Sequence, residues 1–316
     1  METAIAPELD AQYRILRESA GALARTDRRS LQVAGPEAVD YLQGQVTNDV
    51  EALEPGQGCY AALLDRKGHM QTDLRVLRID DGLRLDMEAV GGDAAFRHLS
   101  TYKVGREVTV VEVTDRLSVI SVIGPAAAEL VLGGPPGPEH AHRETKVGGI
   151  ACLAVSTDLG VDLLAPRTNV PDILAALASA GAEPVSEAAA EIVRVEAGRP
   201  RFGREMTTAT IPQEAGINDR AVNFTKGCYI GQETVARLHY RGKPNRHLRG
   251  LRLAEPAADG DPVRLGEREL GTVGTAVISP ARGPIALAIL RREAEPGTTV
   301  EVGDGAEAAL VDLPFG

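Results

Sequence analysis

Short apolar runs, many of them alternating, and broken by glycine, proline and aspartate, predict strands through much of the chain. Between them lie a few stretches at helical spacing. Residues 9–25 read as a surface helix, with Ile15 and Leu16 apolar among charges. Ser30 to Ala34 predicts a short strand ending in Gly35-Pro36, and Pro36 suits the start of a helix whose buried side carries Val39 and Leu42. The same arrangement returns further on: the Val-x-Gly-Pro-x-Ala of residues 33–38 recurs at residues 122–127. We read this as a weak internal repeat.

Each copy leads into strand-like segments and then a closing helix. In the first half the strands are residues 58–65 and a hairpin over 74–89 that turns at Asp80-Asp81-Gly82, followed by a helix over 92–102. In the second half they are residues 149–156 and 161–165, followed by a helix over 170–180. The run Gly133-Gly134-Pro135-Pro136-Gly137-Pro138 between them reads as a surface loop. From Leu248 onward, short strands at 251–253, 271–278, 285–290 and 298–302 alternate with Gly, Pro and Asp turns and predict a small barrel. The expected fold class is therefore α+β. It comprises two ferredoxin-like modules, over about residues 1–115 and 116–240 and free to interleave, and a C-terminal β-barrel over 241–316.

Residues 186–197 give the clearest helix, with Ser186 as N-cap, Ile192 and Val195 on one side and Gly198 ending it. Glu196 falls at the edge of its apolar face, where it is either a solvent-facing glutamate or a ligand. About forty residues of irregular chain follow, a length that inside a compact protein usually marks a functional loop. The passage ends in Asn223-Phe224-Thr225-Lys226-Gly227-Cys228-Tyr229-Ile230-Gly231-Gln232-Glu233, which has no amphipathic period. A short helix from Gln232 would place Cys228 just before a helix N-terminus, two residues after Lys226, and both features favour a nucleophilic sulfur. The competing reading is a free cysteine that simply packs.

Composition narrows the possibilities. Three scattered cysteines without a Cys-x-x-Cys pair fit a reducing cytoplasm rather than a disulfide framework. Residues 1–8 lack the basic start and apolar stretch of a leader, and no apolar run approaches the roughly 20 residues that span a bilayer. A formal charge of −11 argues against a wide nucleic-acid surface. Yet residues 234–254 contain no acid and carry Arg237, His239, Arg241, Lys243, Arg246, His247, Arg249 and Arg252. That cluster is either a solvated basic face or a seat for an anionic tail, an RNA backbone or an acidic partner. His140 and His142 have no carboxylate or cysteine partner to make a metal site, so none is expected.

Lys226-Gly227-Cys228-Tyr229-Ile230-Gly231-Gln232-Glu233 resembles the signature of the YgfZ-type folate-binding proteins, relatives of the glycine-cleavage T-protein (aminomethyltransferase). Further likenesses lie in Tyr41 to Asp49, in Gly68-His69-Met70-Gln71-Thr72-Asp73-Leu74 and in Arg194-Val195-Glu196-Ala197-Gly198. The resemblance implies three lobes around a central tetrahydrofolate site. It further implies that Asp73 faces the reactive folate nitrogens, that Glu196 holds the pterin and that Cys228 is a thiolate near the pocket. Lys226, Tyr229, Gln232 and Arg241 would complete the ligand contacts. A carboxylate can indeed accept two hydrogen bonds from the N–H edge of a pterin. On residue type alone, Asp73 could equally be a turn or cap residue.

Cysteine at position 228 moves the chain toward the YgfZ branch. The resemblance there implies a monomeric, cytoplasmic, folate-dependent factor for iron–sulfur cluster assembly or repair. One cysteine cannot hold such a cluster, which generally takes four ligands, so any cluster contact would be shared with a partner protein. Two other functions stay open: a folate-dependent aminomethyltransferase or demethylase, because Asp73 is retained, and an RNA-binding accessory protein for tRNA modification.

Overall fold

The structure, a computed structural model, describes residues 6–316. Residues 1–5, part of the stretch read for its lack of a leader, lie outside the described residues. Two sheets and a barrel make up the molecule. The first sheet has five antiparallel strands in the order Gly58–Leu64, Met70–Ile79, Gly82–Glu88, Arg28–Ala34, Thr109–Glu112. The second has six, in the order Glu183–Pro184, Gly21–Arg25, Leu117–Ile123, Gly160–Pro166, Ile150–Thr157, His142–Val147. The barrel closes through Arg246–Leu253, Gly283–Arg291, Arg268–Ser279, Pro262–Leu265, Thr299–Val302 and Ala306–Val311.

Period-two burial explains the first sheet. Leu31 and Val33 of one strand and Leu83 and Leu85 of its neighbour are fully buried and pack under the Ala89–Tyr102 helix through Ala95 and Leu99. In the second sheet Ile120, Val122 and Leu163 meet Ile173 and Leu177 of the Val170–Ser179 helix. The barrel is filled by Leu251, Val273, Leu290 and their neighbours. With no Trp and few aromatics, all three cores rest on Leu, Val, Ile and Ala, as expected.

The internal repeat has a backbone reason. Gly35 and Gly124 both have positive φ, 118° and 125°. A Cβ on either would strike a carbonyl oxygen, that of Glu107 at 2.3 Å or that of Ser19 at 2.5 Å. Each copy thus makes the same strand, turn and short helix, the helices being Ala38–Gln43 and Ala127–Leu132.

One expectation is overturned at the N-terminus. The stretch read as a single helix is a helix over Pro7–Glu18 followed by the strand Gly21–Arg25. That strand is rich in alanine and leucine, which read as helix formers. Its pairing along Leu117–Ile123 and the burial of Ala22 and Leu23 override that propensity. The strand belongs to the second sheet, while Arg28–Ala34, three residues later, belongs to the first. Residues 7–25 therefore sit with the second module in space.

The Glu187–Glu196 helix starts on Ser186, whose Oγ accepts from the Ala189 N–H at 3.3 Å, and stops before Gly198, where φ is +67°. Beyond it the chain is irregular as far as Gly231, apart from the turn of helix Asn218–Ala221. This passage is tied to the loop after Gln43. Thr47 Oγ1 donates to the Ala221 carbonyl at 2.6 Å, Asn48 Nδ2 to that of Arg220 at 3.0 Å, and the Asn223 N–H to that of Thr47 at 3.0 Å.

Candidate functional site

Between the two sheets lies a cavity of about 200 Å³. The first sheet contributes Arg28, Tyr60, Asp73 and Glu88, and the second contributes Arg25, Ser121 and Asp162. Glu139 and His140 enter from the loop before His142–Val147, and Arg220 from the irregular passage.

Strand register sets the chemistry. Tyr60 pairs with Arg75 and Ala62 with Asp73, so Tyr60 and Asp73 are diagonal neighbours on one face. The Tyr60 hydroxyl donates to Asp73 Oδ2 at 2.6 Å. Asp73 Oδ1 is buried and has no hydrogen-bond partner among the described residues. Burial pushes the Asp73 carboxyl above its ordinary value, outweighing the Tyr60 hydrogen bond and the attraction of Arg28. Burial also raises the Tyr60 phenol well above its usual range, and the neighbouring Asp73 charge adds to the effect. The Arg220 guanidinium lies 5.2 Å from the centre of the Tyr60 ring and is itself paired with Glu139.

Beneath this pair runs a chain of ion pairs. Asp86, fully buried, accepts from Arg28 at 2.6 Å and faces Arg75 at 2.7 Å. Arg75 reaches across to Asp162 at 2.7 Å, and Asp162 also accepts from Ser121 at 2.6 Å. Burial drives the Asp86 carboxyl up, but the two guanidiniums outweigh it and hold it below its ordinary value. Glu88, which pairs with Arg28 and Arg201, is carried upward by burial instead. The cavity and the ion pairs beneath it thus combine carboxyls that bind protons more and less readily than usual, a pattern concentrated at functional sites.

Of the residues expected from the sequence to form the site, Asp73 alone is among those lining this cavity; His140, set aside there as a metal ligand, lines it too. It sits in mid-strand, not at a turn. Glu196 is buried rather than solvent-facing, but its carboxylate is held elsewhere. Tyr13 donates to it at 2.9 Å, Ser279 by a short hydrogen bond, and Arg17 and Arg282 stand 3.8 and 3.9 Å away. It therefore joins the N-terminal helix to the barrel. The three N–H donors of Lys226 are spent on the carbonyls of Gln43, Val46 and Asn48, at 2.6, 2.8 and 2.9 Å. Its ammonium thus fastens the signature to the 43–48 loop, and the expected stabilisation of a thiolate gives way to this backbone role. Tyr229 packs against Ala62, Leu64 and Met70, under the Lys226 ammonium at 5.2 Å. Gln232 opens the Gln232–Arg241 helix after Gly231, while Cys228 and Arg241 are exposed.

Sequence reasoning missed Tyr60, Arg220 and His140. Tyr60 lay in a stretch read for its apolar alternation, Arg220 was one residue of a long irregular passage, and His140 was weighed only as a metal ligand. The usable signal was strand phase: once Asp73 is placed on a cavity face, its diagonal partner on the adjoining strand shares that face.

The family model described as the GCVT N-terminal domain matches residues 2–226. An aminomethyltransferase from Rubrobacter xylanophilus is 27% identical, over 97% of this chain and 86% of its own length. A protein named tRNA-modifying protein YgfZ, from Sodalis glossinidius, is 30% identical over 89% of this chain and 88% of its own. The crystal structure of the glycine cleavage system aminomethyltransferase T from Bartonella henselae superposes with a TM-score of 0.86 at 23% identity. It covers 98% of this chain and 89% of that one and so shares the fold. With matching sequence motifs, module order and closed C-terminal barrel, the chain belongs to the GCVT-domain family, which links the aminomethyltransferases with YgfZ.

Proposed function

We propose that this protein binds a reduced folate with its ring system in the cavity around Asp73, and that the bound folate serves one-carbon transfer. The observation that carries the reading is Asp73 Oδ1, a buried carboxylate oxygen of a cavity-lining residue, with no hydrogen-bond partner among the described residues. Such an atom is costly to leave unpaired, and the N–H groups of a reduced pterin are suitable donors to it. The volume of about 200 Å³ lies below the ~300–1,000 Å³ typical of whole-ligand pockets, so the cavity suits a ring system with its tail outside.

When bound, a reduced folate supplies the nitrogens that carry the one-carbon unit. The protein's part is to orient and to manage a proton. Tyr60 fixes Oδ2 and so sets the direction in which Oδ1 points. Burial raises the proton affinity of Asp73, which lets the carboxyl hold or release a proton beside a nitrogen. Arg220 lies over the Tyr60 ring at 5.2 Å and lines the same cavity. Anaerobic calorimetric titration with tetrahydrofolate tests the proposal: saturable binding that weakens in Tyr60→Phe and in Arg220→Ala supports it. No binding by the native protein overturns it.

A second reading is favoured by the exposure of Cys228 in the signature, where a partner protein could reach it. On this reading folate binding serves the upkeep of iron–sulfur proteins. A Cys228→Ser variant should keep its folate affinity while iron–sulfur enzyme activity in cells falls. Unchanged enzyme activity removes the cysteine from that role.

A further inference from the structure

His140 stands in the wall of the same cavity, on the module opposite Asp73, and the reading above leaves it unused. Its φ of 68° makes it the non-glycine residue with a positive φ among those described, a conformation that persists only where the surroundings enforce it. They do so here. Its N–H donates to the Ser156 carbonyl at 2.8 Å, and its own carbonyl accepts from His142 Nδ1 at 3.1 Å. A Cβ on Gly58 would come within 2.9 Å of that same carbonyl, so glycine there leaves the room this backbone needs.

The residue so positioned is only 8% exposed, and neither ring nitrogen has a hydrogen-bond partner among the described residues. Glu139 comes nearest, its Oε1 lying 3.6 Å from Nε2, and is taken up by Arg220. Arg75 and Arg220 face the ring with positive charge, Glu139 and Asp158 with negative. Burial, reinforced by Arg75, carries the imidazole down to about 4, so at neutral pH it has one N–H and one free lone pair. A locked residue in a cavity wall, its ring donor and acceptor both buried and unpartnered among the described residues, has the chemistry to contact a ligand.

We propose that His140 is a ligand-contacting, specificity-determining residue of this cavity, one nitrogen of its neutral imidazole hydrogen-bonding to the bound heterocycle. The inference rests on the folate reading and adds a contact from the second module. A ring held by Asp73 on one side and His140 on the other bridges the two sheets. The ligand must offer a carbonyl or ring nitrogen to the imidazole N–H, or an N–H to its lone pair, and the pyrimidinone ring of a reduced pterin carries both kinds of group.

The test compares native protein, His140→Asn and His140→Phe, with tetrahydrofolate and the tail-free 6-methyl-tetrahydropterin as probes. Asparagine tolerates the left-handed backbone and keeps a donor and an acceptor; phenylalanine keeps the ring shape alone. Losing this hydrogen bond should weaken both probes about ten-fold or more in the phenylalanine variant and markedly less in the asparagine variant. In the native protein the His140 Cε1–H resonance, identified by its absence from the variants, should shift on addition of either probe and titrate at still lower pH when bound. Equal affinity in all three proteins, with an unmoved resonance, overturns the role of His140 while leaving the folate reading intact. No binding of either probe to native protein overturns both.

Discussion

Tyr60 and Asp73 are diagonal neighbours across two strands, and the 2.6 Å hydrogen bond between them takes one carboxylate oxygen and leaves the other buried without a partner among the described residues. The pair holds a proton-binding group in a fixed direction under cover from water, which is what proton transfer at a bound nitrogen requires.

Asp73→Asn should therefore lower one-carbon turnover by about 100-fold or more. It should also stabilise the fold at pH 7. The folded carboxyl is raised, so its contribution is present below about pH 4 and is lost as pH rises through the folded value. Urea titrations at pH 4 and pH 7 should show the variant's advantage only at the higher pH. A variant no more stable at pH 7 than native would contradict the burial argument.

Asp86 carries the opposite sign. Its carboxyl is held below the ordinary value, so its contribution is present above about pH 4 and is lost as pH falls through the folded value. Asp86→Asn leaves Arg28 and Arg75 buried without their shared charge and should cost about 3–5 kcal/mol at pH 7. The acid limb of its stability profile should also be shallower than that of the native protein, as measured by urea midpoints from pH 7 to pH 3.

Glu196→Ala should destabilise by about 2–4 kcal/mol, because Tyr13 and Ser279 lose a charged acceptor in a buried place. Its affinity for tetrahydrofolate should stay near the native value. A selective loss of affinity at unchanged stability would return Glu196 to the pterin, where the family resemblance puts it.

Thiol chemistry separates the three cysteines. Cys228 is exposed, Cys152 is buried, and burial pushes the Cys59 thiol up to about 12. A chromogenic disulfide reagent should therefore titrate one thiol in the native protein and all three in denaturant. Cys228→Ser should abolish the native reaction.

The fold was legible because its signals are local. Period-two runs, the Asp80-Asp81-Gly82 turn and the Ser186 cap each fix their own element, and the barrel follows from turn spacing. The strand Gly21–Arg25 was misread because its alanines and leucine read as helix formers and its pairing partner, Leu117–Ile123, lies far along the chain. The site was legible only at Asp73. Lys226 looked like chemistry since a lysine near a cysteine suggests activation, yet three carbonyls from residues far back in the chain claim its donors. His140 looked idle because its backbone twist comes from Ser156, His142 and Gly58, none of which marks position 140 in the sequence.

The placement of Gly21–Arg25 in one sheet and Arg28–Ala34 in the other bears on the order in which a growing chain can fold. The first sheet has all its strands once residue 112 has been made, but Gly21–Arg25 must wait for Leu117–Ile123 to find its antiparallel neighbour. Arg220, which lines the cavity, arrives later still. A fragment cut at the link between the modules would strand an unpaired edge at its N-terminus and hold only one wall of the cavity. The cavity is a property of the long chain, assembled late, and neither half alone holds both of its walls.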